Sequence, residues 1–343
     1  HLLRELAKLT GFPITSTLMG LGAYPAADPQ WLGMLGMHGT YEANMAMHYS
    51  DVLLAVGARF DDRVIGNPAH FAEEPRKIIH VDIDPSSISK RVRVDTPIVG
   101  DVKEVLDEMI RQIESGEARP NPEALAARCK QVEEWRGRRC MVYKNSDEII
   151  KPQFVIQKLW EVTGGDAIVT SDVGQHQMWA AQYYGFNKPR KWINSGGLGT
   201  MGFGLPSAIG AKVACPNEQV VCLAGDGSLI MNIQELATCA NEDVPVKIFL
   251  MNNGYMGMVR QWQELFWSER YSGVDNGPSP DWVKLAEAFG AKGLRCEDDG
   301  DLEGMMQATL DHDGPALLDV RVSPRENVYP MIPAGNAARE MVG

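Results

Sequence analysis

Two short runs dense in β-branched and apolar residues, Gln219-Val-Val-Cys-Leu-Ala224 and Val246-Lys-Ile-Phe-Leu-Met251, each end in a polar turn. Gly225-Asp226-Gly227-Ser228 follows the first, and Asn252-Asn253 the second. Runs of this length bounded by turn residues read as buried strands, and the stretch between them, Met231 to Asn241, reads as a helix. Strand, helix and strand in that order make a parallel pair with a crossover, and ligands of such sheets collect outside the carboxyl ends of the strands. Asp226 and Asn253 are therefore drawn toward one point although 27 positions separate them.

Those residue types suit one chemistry. A diphosphate is held in a cleft with a hard divalent cation, and Mg²⁺ takes oxygen ligands at about 2.0–2.1 Å from one or two protein groups plus phosphate oxygens. Asp226 supplies charge and Asn253 a neutral oxygen. Gly225 and Gly227 let the backbone come close, and a following helix points its N-terminus at the phosphates. Alone, Gly-Asp-Gly is a common turn; the Asn-Asn at the next strand end is what favours the clamp.

The same alternation runs along the chain. An amphipathic helix over His1 to Thr10 starts without an N-cap, as if the chain were truncated there. Strand and helix signals follow at 12–17, 41–48, 51–56, 77–83 and 102–113, then again at 153–162, 167–171, 175–184, 191–194 and 206–214. Helices at 282–289 and 302–310 and a strand at 316–322 close the series. This predicts an α/β protein with two doubly wound parallel-sheet domains, over 1–118 and 151–330, and a C-terminal tail over 331–343. The stretch 119–150, with its prolines, charges and the polar segment 144–148, is the expected linker. At 343 residues two cores are the natural division.

Net charge −12 excludes a nucleic-acid face, and the basic cluster Arg136 to Arg139 reads as a solvated helix surface. No apolar run is long enough to span a bilayer and no secretory pattern opens the chain, so a cytoplasmic protein is expected. The six cysteines form no Cys-x-x-Cys pair.

Ser171-Asp-Val-Gly-Gln-His-Gln177 closes one strand and opens a helix, which puts Gln175 and His176 where an anion would sit. Asn194 to Pro206 carries five glycines in thirteen residues, a density that means close backbone approach or a flexible loop. Met258, Trp262 and Phe266 make a helical stripe that fits either a core face or the wall of a substrate funnel.

The Gly-Asp-Gly and Asn-Asn pair resembles the metal-diphosphate clamp of thiamine-diphosphate enzymes. Within that superfamily the chain resembles the catalytic large subunit of acetohydroxyacid synthase (acetolactate synthase). The segments that carry the resemblance are Leu35-Gly-Met-His-Gly39, Gly57-Ala-Arg-Phe-Asp-Asp-Arg63, His80-Val-Asp-Ile-Asp-Pro85, Val173-Gly-Gln-His-Gln-Met178, Gly199-Thr-Met-Gly-Phe-Gly-Leu-Pro206, Gly225-Asp-Gly227 and Gln261-Trp-Gln263. The resemblance implies a central FAD-binding domain followed by a diphosphate-binding domain, the family's N-terminal pyrimidine-binding domain lying before the residues present here.

It further implies a reaction in which pyruvate is decarboxylated on thiamine diphosphate and the two-carbon unit is joined to a second 2-keto acid, on the route to branched-chain amino acids. Asp226, Asn253 and the Tyr255 carbonyl would hold Mg²⁺. Gln175, His176, Gly225, Gly227 and Ser228 would surround the diphosphate, while Gly199 and Met201 would activate the cofactor by holding it bent. FAD, which has no redox task in the family's reaction, would lie on Met37, His38, Gly39, Gly57, Ala58, Arg59, Asp82, Ile83, Asp84 and Asp101; from the residues alone, Asp82 and Asp84 at a strand end suit a ribose. Asp62, Arg63, Met258, Val259 and Trp262 match the mouth of the substrate channel.

Expected partners are 2-keto acids, a second catalytic subunit in a homodimer or tetramer, and a small regulatory subunit, with neither nucleic acid nor membrane. The family's catalytic glutamate matches no position here, so this polypeptide alone is expected to have negligible synthase activity. The competing readings are a thiamine-diphosphate pyruvate oxidase or 2-keto-acid decarboxylase, and a non-catalytic nucleotide-binding fragment.

Overall fold

The computed structural model describes residues 1–73, 75–145 and 149–343. It divides into two compact units, His1–Val142 together with Tyr329–Gly343, and Tyr143–Val328.

In the first unit, the short strands β1 (Ile14–Ser16) and β2 (Trp31–Met34) pair in parallel, and β3 (Val52–Val56), β4 (Lys77–Asp82) and β5 (Thr96–Val99) form a parallel sheet in that order. Parallel neighbours require crossovers; between β3 and β4 these hold two short helices, Asp62–Ile65 and Pro68–Phe71, and between β4 and β5 only the 3₁₀ turn Pro85–Ser87. The helix Val102–Glu114 turns Leu106 and Ile110 inward against Leu6 of the first helix, Leu2–Thr10, which stops at Gly11 in a left-handed conformation (φ +69°). Asn44, fully buried, holds the turn before the helix Tyr41–His48: it accepts from Gly36 N at 2.8 Å and donates to Gly36 O at 2.9 Å.

The expected linker differs from what the chain does. Pro122–Arg136 is a helix capped by Asn121, whose Oδ1 accepts from the main-chain N–H groups of Glu123 and Ala124. Val132 packs with Leu32 and Ala43, and Arg136 donates to the Trp31 carbonyl at 3.0 Å, so this helix belongs to the first unit. Only Val132 on this helix is buried, and so sparse an apolar stripe has the composition of a linker. Of the polar segment 144–148, residues 146–148 lie outside the described residues. The tail also returns to the first unit, where Ile332 and Ala338 pack on Met45 and Ile332 N donates to Met37 O at 2.8 Å.

The second unit is built on six parallel strands: β6 (Ile168–Ser171), β7 (Trp192–Asn194), β8 (Val220–Gly225), β9 (Lys247–Asn252), β10 (Lys292–Cys296) and β11 (Ala316–Arg321). Their order is β10-β11-β9-β8-β6-β7. Strands β8 and β9 are buried nearly end to end, which is why they read as unbroken apolar runs rather than alternating ones. Their core includes Cys222, Ala224, Ile248, Leu250 and Trp282. Because β7 lies on one side of β6 and β8 on the other, the winding reverses between β6 and β8, the place where open α/β sheets form their crevice.

Two elements depart from expectation. The helix expected over 231–241 begins only at Glu235 (Glu235–Asn241), and a separate short helix, Asp226–Leu229, precedes it; between the two, Asn232 Nδ2 donates to the Gly202 carbonyl at 2.7 Å. Strand β10 carries too few β-branched residues to announce itself; its Gly293 admits the helix Trp282–Ala288, since a Cβ there would lie 2.6 Å from the Val283 carbonyl oxygen. Among the described residues no helix is long and apolar enough to cross a membrane.

Candidate active site

The register of β8 against β9 places Gly225 opposite Met251, so the two polar turns leave the sheet side by side. Adjacent strands run about 4.8 Å apart, which brings the residues after them within reach of one small ion. Asp226 opens the four-residue helix and is 3% exposed. Its Oδ2 accepts from Asn276 Nδ2 at 2.7 Å, and its Oδ1 is buried with no hydrogen-bond partner of good geometry among the described residues. Burial pushes its pKa above the ordinary carboxylate value; the Asn276 hydrogen bond and the main-chain N–H groups of Asp226 and Gly227 oppose this, and the nearby Asp319 charge adds to it. A buried carboxylate with an oxygen unpaired is costly, and a cation is the partner that relieves it.

Asn253 lies past the end of β9, its Oδ1 accepting from Tyr255 N at 3.0 Å and its Nδ2 donating to Gln175 Oε1 at 3.3 Å. The chain then bridges to 274–276: Met256 N donates to Val274 O at 2.8 Å and Asn276 N to Gly254 O at 3.0 Å. That small pairing delivers Asn276 to Asp226. Sequence reasoning missed Asn276, because Asp275-Asn276-Gly277 has only the composition of a turn.

At the end of β6, Asp172 is fully buried and its Oδ1 accepts from Val173 N at 2.9 Å and Gly202 N at 2.7 Å. Thr170 Oγ1 donates to Gly204 O at 3.0 Å. These bonds fasten the glycine-rich segment onto the strand end; Asp172 too was missed. Gly199 and Gly202 there have φ +79° and +89°, which favour glycine. Leu198 is 90% exposed and Met201 half-buried, so the segment presents apolar groups outward beside the crevice.

His176 stands in the first turn of Gln175–Tyr183 with its ring against Gly225, where a Cβ would lie 2.8 Å from Nδ1. Its Nε2 is buried without a hydrogen-bond partner among the described residues, and burial pulls its pKa down to about 4. His38 in the first unit is likewise lowered to about 4, by burial first, with the Pro330 carbonyl opposing and the Arg63 charge assisting. Both rings are neutral in the folded chain at pH 7, whereas the unfolded chain binds their protons near pH 6.5. Their contribution to stability is thus complete above about pH 6.5 and lost as pH falls toward 4. We expect the melting temperature to drop across that window and His176→Gln to flatten the drop; an unchanged slope in the variant would contradict it.

The helix Gly257–Phe266 has its faces reversed from the core reading of its stripe. Arg260 and Gln261 are buried, while Met258 and Trp262 are half-buried and Val259 and Phe266 exposed. Trp262 meets Phe266 edge to face at 5.3 Å. The inward side is polar because Arg260 pairs with Glu264 and donates to Asn327 Oδ1 at 2.6 Å. A charge this deep is tolerated only when paired.

In the first unit, the carboxyl ends of β3, β4 and β5 carry Gly57-Ala58-Arg59, Asp82-Ile83-Asp84 and Asp101 as neighbours. Gly57 has φ +61° with open space where a Cβ would be, and Ile83 is 70% exposed. Asp84 and Asp101 each hold a local turn, accepting from Ser86 N at 2.9 Å and Lys103 N at 2.7 Å. Asp82 accepts from Asp84 N at 2.9 Å. Met37 N donates to the Arg63 carbonyl at 2.7 Å, which joins the Met37-His38-Gly39 turn to the short helix Asp62–Ile65. Asp62 and Arg63 thus belong to the first unit, and Met258, Val259 and Trp262 to the second.

Among the described residues no three His, Cys, Asp or Glu side chains gather as metal ligands. The Asp226 carboxylate and the Asn253 carboxamide at the β8 and β9 ends bear oxygens, which suit a hard cation and not a soft one.

Two family models match the chain: the thiamine pyrophosphate enzyme C-terminal TPP binding domain over residues 172–320, and the thiamine pyrophosphate enzyme central domain over 1–109. Among curated proteins it is 50% identical over 342 residues to the acetolactate synthase isozyme 3 large subunit of Escherichia coli (strain K12), covering 99% of this chain and 59% of that one. It is 46% identical over 339 residues to the acetolactate synthase large subunit of Haemophilus influenzae, covering 98% and 59%. Acetolactate synthase large subunit IlvB1 of Mycobacterium tuberculosis is 49% identical over 345 residues, with 99% and 56% covered. The chain spans less than two thirds of the length of these relatives.

Proposed function

Because the chain belongs to the acetolactate synthase large-subunit family of thiamine pyrophosphate enzymes, we propose that it provides the metal-diphosphate half of a carboligation site that joins pyruvate to a second 2-keto acid. The observation that carries this reading is the buried, unpartnered Oδ1 of Asp226 beside Asn253 at neighbouring strand ends next to the switch point.

Asp226, Asn253 and the Tyr255 carbonyl would hold Mg²⁺. Gly225, Gly227 and Ser228 would line the diphosphate from below, and the main-chain N–H groups at the start of Gln175–Tyr183 would meet it from the side. The neutral His176 ring closes the floor beside Gly225. Bound thiamine diphosphate supplies the carbon nucleophile and the electron sink for decarboxylation. Gly199 and Met201 would hold that cofactor in its reactive bend, and Met258, Val259 and Trp262 would border the 2-keto acid. FAD would lie along the ends of β3 to β5, on Gly57, Ala58, Arg59, Asp82, Ile83, Asp84 and Asp101, with Met37, His38 and Gly39 beside it. A second catalytic subunit, a small regulatory subunit and a cytoplasmic setting complete this reading.

Calorimetric titration tests it: thiamine diphosphate should bind once per chain in the presence of Mg²⁺ and far more weakly with a chelator. Binding that ignores Mg²⁺ would overturn it.

A further inference from the structure

The carboxamides of Asn253, Gln175 and Gln261 form a chain that ends on main-chain groups of fixed polarity. Val328 N donates to Gln261 Oε1 at 2.8 Å, and Gln261 Nε2 donates to Val328 O at 3.1 Å, which leaves Gln261 one orientation. Gln261 Oε1 also accepts from Gln175 Nε2 at 2.9 Å, and the same NH₂ donates to the Glu326 carbonyl at 3.0 Å. Both protons of that nitrogen are thereby used, so Gln175 must turn Oε1 toward Asn253. That oxygen accepts from Asn253 Nδ2 at 3.3 Å, while Asn253 Oδ1 accepts from Tyr255 N at 3.0 Å, so the two bonds together set the orientation of this amide and leave one lone pair of Oδ1 for a ligand. Gln175 is 3% exposed and Gln261 fully buried, and a Cβ on Gly257 would lie 2.1 Å from Gln175 Oε1 and 2.7 Å from Asn253 Nδ2. The chain of amides is packed under a glycine with no room to swing.

We propose that Gln175 is a positioning residue: its carboxamide, oriented by Gln261 and the Glu326 carbonyl, acts with the Tyr255 N–H to make Asn253 turn oxygen and not nitrogen to the metal. This rests on the reading of Asp226 and Asn253 as ligands. Gln175 itself spends its side chain on this task, and only its main-chain N–H remains for the diphosphate.

The test is calorimetric titration of Mg²⁺ into the full chain at saturating thiamine diphosphate. Gln175→Met should weaken Mg²⁺ about 10- to 100-fold, the range for groups that orient metal ligands. Gln175→Glu, whose buried acid has one proton where the amide has two, keeps the donation to Glu326 and the acceptance from Asn253 but loses the donation to Gln261, and should weaken Mg²⁺ less than Gln175→Met does. In Asn253→Asp, where both side-chain atoms are oxygen, Gln175→Met should bring no further loss. Direct donation from this side chain to the diphosphate would reverse the ranking, with the glutamate variant weaker than the methionine one. That ranking, or an equal penalty of Gln175→Met in both backgrounds, overturns the proposal. Asp226→Ala without effect on Mg²⁺ would instead remove the metal reading, and the proposal with it. Should Gln175→Met fail to fold by circular dichroism, Gln175→Leu takes its place in the cycle.

Discussion

Asp226→Asn is expected to weaken Mg²⁺-dependent binding of thiamine diphosphate on the order of a hundredfold or more, the consequence of about 3 kcal/mol or more for removing one partner of a buried charged pair. The variant keeps the shape of the side chain and its contact with Asn276, so the loss reports charge and not packing. Stability should move the other way. The folded-state pKa of Asp226 is raised by burial, so its favourable contribution is present below the unfolded carboxylate pKa and is lost as pH rises through the folded value. At pH 7 the metal-free wild type therefore bears a buried negative charge that the asparagine variant lacks. The metal-free variant should melt above wild type at pH 7, with the difference shrinking toward pH 4. Adding Mg²⁺ and thiamine diphosphate should raise the melting temperature of wild type alone. Thermal scans at the two pH values, with and without ligand, check all of this; equal binding by variant and wild type would contradict it.

Gly204→Val should destabilise the chain by about 3 kcal/mol, the upper end of what overpacking costs. Gly204 opens the helix Gly204–Ala214 directly against the end of β6. A Cβ there would sit 2.8 Å from Asp172 N and 3.0 Å from Asp172 Cβ, and two of the atoms in the way are backbone. The helix and strand would have to part. Since Asp172 fastens Gly202 and Thr170 fastens Gly204, parting them also frees the glycine-rich segment that would hold the cofactor. The midpoint of urea denaturation should fall, and cofactor affinity should fall with it at temperatures where the variant is folded. A variant as stable as wild type would show that this close approach carries no weight.

Much of the second unit can be read from residue order. Strands β8 and β9 show as unbroken apolar runs because parallel strands are buried on both faces, and their polar ends declare themselves by breaking that run. What could not be read is how polar residues reach across the crevice. Asn276 meets Asp226 from 50 positions away, Gln175 meets Asn253 from 78 and Gln261 from 86, and asparagine or glutamine at such distances has no periodic signature. The inversion of the helix Gly257–Phe266 has the same origin, since its buried Arg260 and Gln261 are paid for by partners near Asn327 and Val328. The helix Pro122–Arg136 resembled a linker because one buried valine was enough to seat it.

The central claim is that a single divalent ion is gripped by the two neighbouring strand ends of the second unit. Diffraction at the manganese edge from crystals of this chain grown with Mn²⁺ and thiamine diphosphate measures it most directly. The account predicts one anomalous peak at about 2.1 Å from both Asp226 Oδ1 and Asn253 Oδ1, with diphosphate oxygens on its far side. A peak elsewhere on the chain, or a peak that Asn253 meets with nitrogen or not at all, would contradict it.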